Sequence, residues 1–169
     1  MKCPVEVLRM VVNRQIGEDA LELVELLKKK GEMSEFIIAK ALKEDINSVR
    51  NKIYRLQKFN LVKYTKKKDA EKGWYVYFWS IMPEKFMHIY KTFMNDEIKK
   101  LEEKINSKKD KEFFTCKNQC TIIDYEDGPN SNYMCPECGE PLVLYDAKKE
   151  IELMKKDIES LKKSMDNYV

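Results

Sequence analysis

Four cysteines, Cys116, Cys120, Cys135 and Cys138, fall as C-x3-C, fourteen intervening residues, then C-x2-C. They lie in a segment, residues 113–145, that is too short to bury a sufficient core by itself. Thiolates are soft ligands, and four of them close a tetrahedral structural zinc site with no open position for a substrate. Such an ion contributes roughly 10–16 kcal/mol, enough to decide whether so small a module folds. One structural Zn2+ is therefore expected, held between two strand-turn-strand knuckles, FTCKNQCTI and YMCPECGEPL. Gly139 allows the tight turn of the second knuckle, while the three residues between Cys116 and Cys120 depart from the usual two. Disulfides are the alternative, and the N-terminus MKCPVEVLRMVV, interrupted by Glu6 and Arg9, forms no secretory signal. Redox chemistry at Cys135–Cys138 is disfavoured because the other pair makes a better metal partner than bystander. The leftover Cys3 is assigned no role.

Gly and Pro are scarce, five of each, so each one punctuates. Val5, Leu8, Val11 and Val12 recur at helical spacing behind Pro4. A second helix, with Leu21, Val24 and Leu27 on one face, carries acids early, lysines late and Gly31 as its stop. Ser34 is expected to cap a third helix, with Phe36, Ile37, Ala41 and Leu42 inward. Asn47 is expected to cap a fourth, where Val49, Ile53 and Leu56 face the core. The turn Lys43–Ile46 between the last two makes a helix-turn-helix. After Leu61 the period becomes two: LVKYTK reads as a strand, KKDAEKG as a turn and WYVYFWSIM as the returning strand. A helix-turn-helix followed by a basic hairpin is a winged helix.

Pro83 opens a long helix whose Met87, Met94, Ile98, Leu101 and Ile105 form a heptad-like seam, broken at Lys91. Beyond Asp146 a second seam, Ile151, Met154, Ile158, Leu161 and Met165, steps 3, 4, 3, 4. The two seams can bury each other as an antiparallel pair within one chain, or each can pair in a homodimer. The expected fold is α+β: winged helix over 1–82, helical linker over 83–112, C4 zinc ribbon over 113–145 and C-terminal helix over 146–169. No apolar run reaches the roughly 18–20 residues of a bilayer span, so a soluble, intracellular protein is expected.

Formal charge divides the chain. The net +3 conceals +6 over residues 1–80, from 17 basic against 11 acidic residues, and −4 over residues 113–145. Thiolates around a divalent ion would make the ribbon about two units more negative. Only the winged helix has the electrostatics to approach nucleic acid. Lys66, Lys67, Lys68 and Lys72 crowd the expected wing turn, and the returning strand carries aromatics on both faces. Trp74, Val76 and Phe78 lie on one side and Tyr75, Tyr77, Trp79 and Ile81 on the other. A wing needs one apolar face to rest on the helices, so the excess either meets a partner or unpaired bases, or is covered by the helix after Pro83. Arg50, Asn51, Arg55 and Lys58 share the outer face of the fourth helix and could enter a major groove. His88 has no second ligand nearby, and no phosphate loop or nucleophile elbow occurs, so no enzyme is expected.

The wing LVKYTKKKDAEKGWYVYFWSI, the preceding NSVRNKIYRLQKFNLV and the ribbon ending CPECGEPLVLYD together resemble archaeal general transcription factor E, homologue of the alpha subunit of eukaryotic transcription factor IIE. The resemblance spans nearly the whole chain. It implies a basal initiation factor that helps RNA polymerase open promoter DNA within a complex containing TATA-binding protein and transcription factor B. It implies that Trp74, Tyr75 and Tyr77 match the family's aromatic wing, which reaches the polymerase clamp and the non-template single strand. The absence of the eukaryotic subunit's long acidic tail points to the archaeal form and a cytoplasmic, nucleoid-associated location, nuclear only in a eukaryote. A second transcription factor E subunit is a further expected partner. The rival expectation is a sequence-specific winged-helix regulator with a structural zinc and a coiled-coil dimer interface.

Overall fold

The computed structural model describes residues 3–68, 73–109 and 111–168. Two compact units divide the chain within one long helix, the first running to Phe93 and the second from Met94 to Asn167.

In the first unit α1 (Val5–Gln15), α2 (Leu21–Lys30), α3 (Glu35–Leu42) and α4 (Ile46–Lys58) pack around Leu8, Val11, Leu23, Val24, Leu27, Ile38, Ile53 and Leu56, all essentially without solvent contact. Ser34 caps α3 as expected, its Oγ accepting from the Ile37 N–H at 3.4 Å. The cap of α4 is Asp45 rather than Asn47: its Oδ1 accepts from the N–H groups of Asn47 and Ser48, both at 2.9 Å. Both residue types cap well, and the carboxylate two residues earlier gathers two orphan donors at the positive helix end.

The inward face of α3 also differs from expectation. Phe36 and Ile37 are 63% and 51% exposed, Ala41 is exposed and Leu42 half-buried, while Ile38 and Ala39 face the core. Four consecutive apolar residues, Phe36 to Ala39, carry no periodicity that could orient the helix. Tertiary pairing does so instead. A two-residue strand β1 (Met33–Ser34) joins the hairpin β2 (Val62–Lys68) and β3 (Tyr75–Ile81), giving an antiparallel sheet of order β1-β3-β2. Met33 lies opposite Trp79 and Ser34 opposite Phe78, which fixes the rotation of the helix that follows. The expected two-stranded wing thus has three strands.

The long helix α5 (Pro83–Lys108) begins at Pro83 as expected. In the second unit its Ile98 and Ile105 pack with Met154 and Ile158 of α6 (Lys148–Asp166), flanked by Leu101, Ile151, Leu161 and Met165. Lys108 pairs with Glu150 at 2.5 Å and Lys162 with Glu102 at 3.9 Å, so the helices run antiparallel. The Ile98, Leu101 and Ile105 part of the first seam and the second seam bury each other within one chain. Between them β4 (Phe113–Cys116), β5 (Ile122–Asp124) and β6 (Leu142–Tyr145) form a small antiparallel sheet of order β5-β4-β6. Among the described residues no helix is long and apolar enough to cross a membrane.

Candidate metal centre and aromatic wing

All four expected cysteines meet: the Sγ atoms of Cys116, Cys120, Cys135 and Cys138 lie within 4.8 Å of one another. A regular tetrahedron with Zn–S bonds of about 2.3 Å has S···S edges of about 3.8 Å. Cys138 Sγ and Cys116 Sγ stand 3.7 Å apart, so the donor set fits a divalent metal ion of zinc's size and softness. Cys116 ends β4; it and Cys135 are buried, while Cys120 and Cys138 remain exposed.

The irregular first knuckle absorbs its extra residue in the backbone. Gln119 takes the left-handed conformation at φ 52°, and its N–H donates to the Cys116 carbonyl at 2.9 Å. In the second knuckle Gly139 takes that conformation, at φ 73°, donating to the Cys135 carbonyl at 2.9 Å. Backbone and side-chain donors also reach the sulfurs. The Cys120 N–H approaches Cys116 Sγ at 3.4 Å and Asn118 Nδ2 approaches Cys138 Sγ at 3.7 Å. The sequence does not single out Asn118; only its place inside the knuckle marks it. The Cys120 N–H leads in lowering the Cys116 thiol to about 6, whereas hydrogen bonds with Cys138 and Cys116 push Cys120 up to about 12. A divalent charge is what permits four thiolates in one site.

Between the knuckles the chain is pinned by rings. Phe114 stacks on Tyr125 at 5.2 Å and meets Tyr133 edge-on at 5.4 Å. A Cβ on Gly128 would sit 2.8 Å from the Phe114 ring and 3.0 Å from that of Tyr133.

In the first unit Lys66 lies in β2, and Lys67 and Lys68 continue that strand instead of entering the turn; the three stand opposite Tyr77, Val76 and Tyr75. The ladder continues out to the Lys68–Tyr75 pair, two residues beyond the expected end of the strand at Lys66. Lys72 falls outside the described residues. Lys66 Nζ sits 4.1 Å from the Tyr75 ring centre, and Lys67 turns to the other face, 4.6 Å from the Phe78 ring and 2.8 Å from Glu32. Tyr64 packs against Tyr77 and Trp79, both at 5.3 Å. Trp79 is buried at 3% exposure, its Nε1 donating to Glu35 at 3.2 Å. Trp74, just before β3, is 60% exposed, and Tyr75 and Tyr77 are also open. The helix after Pro83 therefore does not cover the aromatic face near the tip.

The outer face of α4 is largely committed to the protein itself. Arg50 Nε donates to Glu35 at 2.7 Å, and Arg55 pairs with Asp19 and donates to the Ile16 carbonyl at 3.2 Å. Asn51 and Lys58 remain exposed. The partners of both arginines come from distant sequence, so nothing near them announces the pairing.

The sequence profile of the TFIIE alpha subunit matches residues 6–110, the winged helix and the long helix after it. Transcription factor E of Methanocaldococcus jannaschii is 34% identical over 150 residues, covering 89% of this chain and 87% of that protein. Transcription factor E of Archaeoglobus fulgidus is 30% identical over 162 residues, covering 96% and 91%. A possible transcriptional regulator from Methanosarcina mazei superposes with a TM-score of 0.50 at 15% identity, over 62% of this chain and 88% of that one, a likeness of fold alone. With the expected winged helix in its first unit and the cysteine quartet in its second, the chain belongs to the TFIIE alpha subunit family.

Proposed function

We propose that this chain is a non-catalytic transcription initiation factor that joins RNA polymerase at the promoter and favours the opened state. The observation that carries the reading is the solvent-exposed aromatic and lysine surface of the wing. Tyr75 and Tyr77 are exposed beside Lys66 and Lys68, with Trp74 at the end of the strand. Aromatic faces stack on bases of any sequence and the ammonium groups meet phosphates, which suits unpaired DNA better than a duplex groove. On this reading Lys66, Lys67, Lys68, Lys72, Trp74, Tyr75 and Tyr77 meet the clamp and the non-template strand. The complex would also contain TATA-binding protein, transcription factor B and, in some assemblies, a second transcription factor E subunit. A factor that binds the open complex more tightly than the closed one shifts promoter melting by that difference alone. The ribbon holds one structural zinc through Cys116, Cys120, Cys135 and Cys138, and serves protein contacts, since its charge disfavours DNA.

The rival reading of a groove-reading regulator is weakened by the pairing of Arg55 with Asp19 and by the tie of Arg50 Nε to Glu35, which holds that guanidinium beside the wing residues and not on an open groove-reading face. The test is the lifetime of the open complex on a weak promoter. Wild type should prolong it, and Trp74→Ala with Tyr77→Ala should shorten it toward the value without the factor. Unchanged melting by the double variant would refute the wing's part.

A further inference from the structure

The exposure of Phe36, contrary to the sequence pattern, has a counterpart across the surface. Phe36 and Arg50 from the helices and Trp74, Tyr75, Val76 and Tyr77 from the wing line one depression of about 310 Å³. Glu35 also lines it and is 8% exposed, holding Arg50 through Nε and Trp79 through its indole N–H. Among the described residues the Arg50 guanidinium is bonded through Nε alone, so its terminal donors stay available at the wall of the depression. Lys66 and Lys68 stand on β2 opposite Tyr77 and Tyr75, two of the lining residues.

We infer that this depression receives one unpaired DNA base, separated from its neighbours and held between Phe36 and the wing. Its volume lies at the small end of ligand-sized clefts, matching a single nucleotide and not a helix or a run of stacked bases. Aromatic walls supply a stacking face, the anchored guanidinium supplies donors for acceptors on the base edge, and the two lysines take the adjoining phosphates. The positive charge of residues 1–80 complements the strand. Phe36 and Arg50 thereby become part of the single-strand surface, which otherwise comprises the wing alone. This inference rests on the proposed action at opened promoters.

The experiment places an abasic nucleotide at each non-template position in turn, in a promoter complex of polymerase with the full chain. The measured quantity is the factor-dependent gain in open-complex lifetime. One position is expected to reduce that gain roughly tenfold, the scale of one base stacked on an aromatic side chain. Phe36→Ala should cause a similar loss and abolish the sensitivity at that position only, while thermal melting confirms that the variant folds. If wild type prolongs the lifetime but no position stands out, or if Phe36→Ala leaves the sensitivity intact, the base site is refuted and the proposed function stands. If wild type does not prolong the lifetime at all, both fall together.

Discussion

Glu35 joins three elements at once, and its removal can be valued from its contacts. It is buried at the start of α3, accepts from Arg50 of α4 at 2.7 Å and accepts from Trp79 of β3 at 3.2 Å. In Glu35→Ala the Trp79 indole N–H, on a residue 3% exposed, loses its acceptor without access to water, which costs about 1–3 kcal/mol. The ion pair adds less, because the Arg50 side chain is 39% exposed; exposed pairs contribute about 0.2–1 kcal/mol. The expected loss is about 2–3 kcal/mol. Glu35→Gln, which keeps an acceptor, should lose about 1 kcal/mol. Urea unfolding followed by tryptophan fluorescence is a selective assay, because both tryptophans, Trp74 and Trp79, lie in the first unit. Adding Trp79→Phe removes the stranded donor, so the cost of Glu35→Ala in that background should fall to the ion-pair share. If Glu35→Ala cost under about 0.5 kcal/mol, or cost the same in the Trp79→Phe background, the indole bond would not be the source of the stability.

Three further outcomes are expected. The zinc-loaded chain should resist alkylation at all five cysteines at pH 8, because burial raises the Cys3 thiol to about 11 and the metal occupies the other four; chelator with denaturant should then release all five, as counted by mass spectrometry. Native mass should show one zinc per chain, and Cys135→Ser should lose it without moving the fluorescence transition of the first unit. Acid should weaken the first unit in one direction. Hydrogen bonds from Lys67 and Thr65 hold Glu32 below its usual range, and Arg55 does so for Asp19. A carboxylate depressed by folding stabilises fully above its unfolded pKa, near 4, and that stability is lost as pH falls through the folded value. The urea midpoint should be flat between pH 5 and 7 and drop below 4, and Lys67→Gln should reduce the drop.

What the sequence disclosed depended on whether a contact is announced by spacing. The cysteine pairs and the 3, 4, 3, 4 seam are local patterns: the four thiols meet as expected, and the seam takes the intrachain partner of the two that the pattern left open. The rotation of α3 was illegible because Phe36-Ile37-Ile38-Ala39 offers four apolar choices, and a strand of only two residues, Met33–Ser34, makes the selection. Arg50 and Arg55 look free on α4 because Glu35 and Asp19 are 15 and 36 residues away. The lysines read as a turn because charge suggests solvent, whereas an exposed strand accommodates it equally well beside aromatic cross-strand neighbours. Candidate site residues were thus recognisable by type, while their availability was not.

The ring cluster inside the ribbon bears on how quickly a metal can be captured. With Phe114 held between Tyr125 and Tyr133, and no space for a side chain at Gly128, the fourteen-residue spacer is a folded strap and not a free tether. Once these rings pack, an ion caught by Cys116 and Cys120 meets the second pair at a high effective concentration, as in any intramolecular second binding step. Loading becomes nearly concerted and partially ligated species short-lived. A side chain at Gly128 would leave every ligand in place and still slow the uptake of the ion.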